Sequence, residues 1–163
     1  MQLTFYSDYS LRILIYLAVK GDDLVRVSEI AERFDISRNH LLKVASNLAR
    51  GGFIRSYRGK RGGIELGRGP EKINIGAVVR YTEGPLRLVE CFDPQKNRCV
   101  IAGTCELAPV LQEACDSFLA TLDRYTLADL VANRNRLIRL LGLRTGVRPA
   151  LQSNYPRSRQ ASR

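Results

Sequence analysis

Tryptophan is absent from the sequence, and histidine and methionine occur once each, as His40 and Met1. A histidine-rich zinc site therefore has almost nothing to draw on. There is no nucleophile beside a histidine base, no acid–base pair and no phosphate-binding glycine loop, which argues against an enzyme. No stretch reaches the roughly 18–20 continuous apolar residues that a membrane span needs. The N-terminus has no basic segment followed by an apolar stretch and a cleavage site, so a secretory signal is not expected. A cytoplasmic protein is expected instead, with its four cysteines as thiols or metal ligands rather than disulfides.

What the chain does have is positive charge, unevenly spread. Residues 1–70 hold 12 Lys/Arg against 7 Asp/Glu, residues 71–143 hold 9 of each, and residues 144–163 hold five arginines and no acid. The net +10 thus sits on the N-terminal part and on the tail, a field that favours a polyanion such as nucleic acid. With 45% hydrophobic residues in periodic runs, 163 residues suit one compact domain with an interaction arm.

The periodicity predicts a mainly α fold. Residues 7–20 read as a helix capped by Ser7, with Asp8 in its first turn and Leu11, Leu14, Ile15 and Ala18 on one apolar stripe. Leu24–Arg26 reads as a short edge strand. Ser28 then caps a second helix over Glu29–Arg33, and Ser37 caps a third that runs to Arg50 before Gly51-Gly52. In the third helix Leu41, Val44, Ala45 and Leu48 share one face. Asn39, Lys43, Ser46 and Arg50 share the other, with Arg38 and Asn47 close by. Two short helices joined by a tight turn, the second polar and basic outside, predict a helix-turn-helix.

Strand-like runs Phe53–Tyr57 and Ile64–Leu66 flank Arg58-Gly59-Lys60-Arg61-Gly62-Gly63. This is a β-hairpin with a cationic tip, and directly after a recognition helix it predicts the wing of a winged-helix domain. The expected DNA-facing residues are Ser28, Arg38, Asn39, His40, Lys43, Arg58, Lys60 and Arg61. Of these, Asn39, His40 and Lys43 are candidates for base edges, and Arg38 and the wing for phosphates. The predicted organisation is a winged helix-turn-helix domain over 1–83, a loop over 84–105, a dimerisation helix with a fold-back helix over 106–143, and a disordered basic tail over 144–163. Within the third unit, a long amphipathic helix from Glu106 is expected to bury Leu107, Val110, Leu111, Ala114, Phe118 and Leu122. A piece over Leu127–Leu143 is expected to fold back onto it.

Cys91, Cys99 and Cys105 form a C-x7-C-x5-C pattern on irregular sequence containing Pro94, Asn97 and Gly103. The spacing lacks the C-x2-C knuckles of structural zinc sites, and His40 lies elsewhere. Three thiolates with one weaker fourth ligand favour an iron–sulfur cluster, with zinc and a thiol redox switch left as alternatives. Cys115, on the apolar side of the long helix, reads as a small buried hydrophobe.

The chain resembles the NsrR-type nitric-oxide-sensing repressors, within the winged-helix family that includes IscR. The resemblance covers roughly residues 1–143. It rests on Met1-Gln2-Leu3-Thr4, Asp8-Tyr9, Leu11-Arg12, Leu14-Ile15-Tyr16, Ser37-Arg38-Asn39-His40, Arg58-Gly59-Lys60 with Gly62-Gly63-Ile64, the three cysteines, and Leu122-Asp123-Arg124-Tyr125-Thr126-Leu127-Ala128-Asp129-Leu130. It implies a homodimer on a palindromic DNA operator and a 2Fe–2S or 4Fe–4S cluster on Cys91, Cys99 and Cys105. It further implies Asp8 of the partner subunit as fourth ligand, with Arg12 coupling the site to the first helix and nitric oxide as effector. The IscR branch places a histidine where this chain has Ala108. The basic tail has no counterpart in the family pattern.

Overall fold

The computed structural model describes residues 2–21, 23–60 and 62–143. Arg61 and the tail 144–163, on which two of the expectations fall, lie outside the described residues.

Helix α1 (Phe5–Lys20) begins two residues earlier than expected. Thr4 occupies the N-cap, and its hydroxyl accepts from the Ser7 amide at 3.4 Å. Ser7, expected to be the cap, is instead buried in the first turn, with its hydroxyl 2.6 Å from that of Thr82. Helix α2 (Val27–Phe34) starts after Arg26 with no side-chain cap, so Ser28 sits half-buried inside its first turn rather than capping it. Asp35 adopts the left-handed conformation (φ 52), which reverses the chain sharply enough for α3 (Arg38–Arg50) to pack across α2. The predicted inner face of α3 is confirmed, with Leu41, Val44, Ala45 and Leu48 all buried.

Strands β1 (Ile54–Tyr57) and β2 (Gly63–Leu66) form the antiparallel hairpin, in the register Ile54↔Leu66 to Tyr57↔Gly63. The expected edge strand is reduced to one bridge, in which Val25 and Ile64 exchange bonds of 3.0 and 2.8 Å. Helix α4 (Ile75–Glu83) is capped by Asn74, whose side chain accepts from the Ala77 amide at 2.9 Å. The long helix α5 (Leu107–Asp123) follows the cysteine segment, and α6 (Leu127–Leu130) and α7 (Arg134–Leu140) end the described chain.

One core serves this arrangement. Ile13, Leu14, Tyr16, Ile30, Leu41, Leu48 and Leu127 are fully buried within it. Each such aliphatic side chain removed from water contributes about 1.5–3 kcal/mol. Leu127, Ile138 and Leu141 belong to that core, and Arg134 Nε donates to the Val19 carbonyl at 2.9 Å. The fold-back segment therefore packs on α1 rather than onto the long helix. Its apolar residues find the hydrophobic face they need on the N-terminal helices, so the predicted division at residue 83 does not separate two cores. Helix α5 departs from expectation too. Only Cys115 is buried, whereas Leu107 and Val110 are 60% and 59% exposed. Among the described residues no helix is long and apolar enough to cross a membrane.

Candidate functional site

The burial of one face of α3 leaves the other open. Arg38, Asn39, His40 and Lys43 are all exposed, and none makes an ion pair among the described residues. Two tyrosines outside α3 hold its backbone. Tyr6 Oη donates to the Lys43 carbonyl at 3.2 Å, and Tyr81 Oη donates to the Asn47 carbonyl at 3.0 Å. Neither bond leaves a periodic signal, because each acceptor is a backbone carbonyl more than thirty residues away.

The wing stands beside α3, with Arg58 and Lys60 exposed. Arg26 Nη2 donates to the Lys60 carbonyl at 3.2 Å and ties the tip to the start of α2. Glu65 accepts from Tyr57 Oη at 2.7 Å, which bridges the two strands on their outer side. Recognition helix and wing thus offer one cationic surface.

All four cysteines are free thiols. Cys91 lies in a 3-10 turn over Glu90–Phe92, Cys99 is exposed after Asn97, and Cys105 precedes α5. The loop has an internal polar scaffold that sequence reasoning missed. The buried carboxylate of Asp93 pairs with Arg87 and accepts from the Gln95 amide at 3.2 Å, while its carbonyl accepts from the Lys96 and Asn97 amides. Glu90 accepts from the Arg98 amide, and the Asn97 side chain accepts from the Cys99 amide at 3.0 Å. An acid one or two residues from a proline or asparagine is the available hint, since such side chains bond the backbone just ahead. A cleft of about 440 Å³ opens between this loop and α5, walled by Arg87, Cys91, Phe92, Cys115, Asp116 and Leu119 among others. Cys115 is buried in its wall, as a small hydrophobe would be.

Among the described residues, no three His, Cys, Asp or Glu side chains gather closely enough to hold a single metal ion. Within one chain, then, the three cysteines do not form such a site, with Asp8 or without it. Asp8 is engaged locally. Its carboxylate takes two contacts from Arg12, at 2.6 Å from Nη2 and 3.0 Å from Nε, one helical turn on. The Arg12 guanidinium also lies over the rings of Tyr9 and Phe34, at 6.0 and 5.8 Å.

Known proteins share this arrangement. The family model described as Rrf2, iron-dependent transcriptional regulator, matches residues 3–133. The HTH-type transcriptional regulator NsrR of Bacillus subtilis is 50% identical over 145 residues, covering 88% of this chain and 99% of that protein. The NsrR of Bacillus licheniformis is 47% identical, covering 86% and 99%. Both relatives are matched almost end to end. Among solved structures, T. potens IscR superposes with a TM-score of 0.66 at 25% identity, over 84% of this chain and 90% of that one. The cysteine regulator CymR of B. subtilis does so with 0.61 at 29%, over 82% and 98%. These are transcriptional regulators, and their family is not one of enzymes. The chain belongs to the Rrf2 family and is an NsrR-type, winged-helix DNA-binding transcription repressor.

Proposed function

We propose that this regulator is a cytoplasmic homodimer that represses genes of the nitrosative stress response and releases its operator when nitric oxide reaches an iron–sulfur cluster on Cys91, Cys99 and Cys105. The observation that carries this reading is the set of three free thiols on one polar-scaffolded loop, without a histidine, in a chain whose relatives are NsrR regulators. The donor set fits such a group. Soft thiolates select iron–sulfur clusters, and a body with several irons is gripped at its periphery, so its ligands need not meet at one point. When bound, the cluster supplies iron that reacts with nitric oxide.

The rest is work for the chain's own residues. Asp93, Arg87 and Glu90 hold the backbone from which Cys91 and Cys99 project. Ala108 offers no donor, so a fourth ligand must come from elsewhere, and Asp8 of the partner subunit is the proposed one. In the single chain that carboxylate is held by Arg12, and it has lone pairs enough to keep a bond from the guanidinium while it binds iron, so Arg12 would orient the ligand. The exposed apolar residues Leu107 and Val110 of α5, with the half-buried Leu111 beside them, suit a second copy of the helix, since burying them on a partner supplies what the single chain leaves in water. In such a dimer the two α3 helices would enter successive major grooves of a palindromic operator, about 34 Å apart. Asn39, His40 and Lys43 then face base edges, with Ser28, Arg38, Arg58, Lys60 and Arg61 towards phosphates.

Anaerobic purification tests this directly. A coloured protein containing iron and acid-labile sulfide is expected, whose visible absorption and operator affinity both fall on addition of nitric oxide. A colourless protein containing zinc overturns the reading.

A further inference from the structure

The last turn of α4 has an unusual set of attachments. Four consecutive residues each bond outside the helix. Arg80 grips Asp123, at the C-terminal end of α5, through Nη1 and Nη2 at 2.5 and 2.6 Å. Tyr81 donates to the Asn47 carbonyl of α3 at 3.0 Å and packs its ring at a tilt against Phe53, with ring centres 5.4 Å apart. Thr82 Oγ1 lies 2.6 Å from Ser7 Oγ of α1. Glu83 accepts from both the amide (2.8 Å) and the hydroxyl (3.0 Å) of Thr4, the residue that caps α1. Long helix, recognition helix and first helix are thus bonded to one turn of backbone. The next residue, Gly84, ends α4 in the left-handed region at φ 67, and the loop bearing the cysteines starts there.

The surroundings favour the grip on α5. Asn74 donates to the Asp123 carbonyl at 2.6 Å, so the side chain and backbone of Asp123 are both held. Position 76 is glycine, and any side chain there would run into the Asp123 carboxylate. The main packing of α5 in the described residues is against α4, and no comparable packing joins α5 to α3 or α1. Bidentate Arg–carboxylate pairs fix orientation as well as distance, which a single bond does not.

We propose that Arg80–Glu83 is the joint through which a displacement of α5 and the cysteine loop reaches the recognition helix. Arg80 is the input, through Asp123. Tyr81 is the output, through the Asn47 carbonyl. The bonds of Thr82 and Glu83 make the first helix turn with the others. These are positioning residues that touch neither DNA nor the cysteines. The proposal rests on the cluster-dependent reading above for the signal that the joint carries, though not for the joint itself.

Two single variants test it, Tyr81→Phe, which keeps the ring on Phe53, and Asp123→Asn, which keeps the shape but not the charge. For each, operator affinity is measured with the protein cluster-loaded and cluster-free, together with visible absorption and affinity for a scrambled duplex. Absorption and scrambled-duplex affinity should match wild type, whereas the loaded-to-free affinity ratio should fall about three- to tenfold, the effect of one or two lost hydrogen bonds. A merely destabilised protein would lose affinity in both states and leave the ratio unchanged. Where the wild-type ratio exceeds one, an unchanged ratio in both variants overturns the joint. A second measurement separates this from failure of the cluster reading, namely amide exchange along α3 in cluster-free Asp123→Asn. Faster exchange in α3, from a change on α5, supports the joint even if wild type shows a ratio of one; exchange altered in α5 alone overturns it.

Discussion

Alanine at both Arg58 and Lys60 should flatten the salt dependence of DNA binding rather than change which DNA is bound. Both side chains are exposed at the wing tip, and neither has a carboxylate partner among the described residues. In a dimer the substitution removes two cations from each protomer. If each meets one phosphate, the slope of log affinity against log salt loses about 0.9 for every cation, or about 3.6 in all. Between about 50 and 200 mM salt that amounts to roughly two decades, so wild type and variant should differ most at low salt and converge at high salt. Fluorescence anisotropy on an operator duplex and on a scrambled duplex of equal length reads both quantities. The variant should lose affinity for the two duplexes by similar factors, because phosphates carry no sequence. An unchanged slope, or a loss confined to the operator, would refute the assignment of the wing to the backbone.

Three further outcomes follow from the geometry. Leu127→Ala should cost about 2–5 kcal/mol in urea unfolding, since the side chain is fully buried against the N-terminal helices; a loss below about 1 kcal/mol would mean that the C-terminal segment is not part of that core. Glu29 accepts from Tyr16 Oη at 2.8 Å and Lys20 Nζ at 2.9 Å. Partial burial pushes its carboxyl pKa up, but these bonds outweigh it and hold the carboxyl below its ordinary range. A depressed folded value means that the stabilisation is present above the ordinary carboxylate pKa and is lost as pH falls through the folded one. Glu29→Gln should therefore be less stable than wild type near neutrality, by about 1 kcal/mol after allowing for solvent screening, with the gap closing in acid; a gap independent of pH would contradict the pairing. Asp8→Ala should alter both the visible spectrum of the loaded protein and its rate of reaction with nitric oxide, while loss of the Arg12 pair costs no more than about 0.5 kcal/mol. If spectrum and rate are unchanged, Asp8 is only a first-turn acid.

Much of the proposed DNA-binding surface is legible before folding because it depends on short-range periodicity. Leu41, Val44, Ala45 and Leu48 recur at helical spacing, which turns Arg38, Asn39, His40 and Lys43 outward wherever the helix is placed. Gly51-Gly52 ends that helix, and glycines around Arg58–Arg61 make the hairpin turn. Other features escape such reading. Thr4 and Ser7 are both good caps by type, and the choice falls to Thr4 because Thr82 and Glu83, nearly eighty residues away, engage the two side chains differently. The apolar face of 127–141 is equally plain in the sequence, but its partner is not, and α1 rather than α5 receives it.

The cysteines divide the same way. Their type, number and spacing are properties of the sequence, and so is the missing histidine beside them. The Asp93 scaffold, the cleft shared with Cys115 and the Asp8–Arg12 pair belong to the tertiary structure. So does the turn of α4 that bonds three helices at once. The physical reason is range. Helical periodicity and turn chemistry act over three or four residues, whereas a hydrogen bond from Tyr81 to Asn47 or an ion pair from Arg80 to Asp123 exists only once the core has brought distant backbone together.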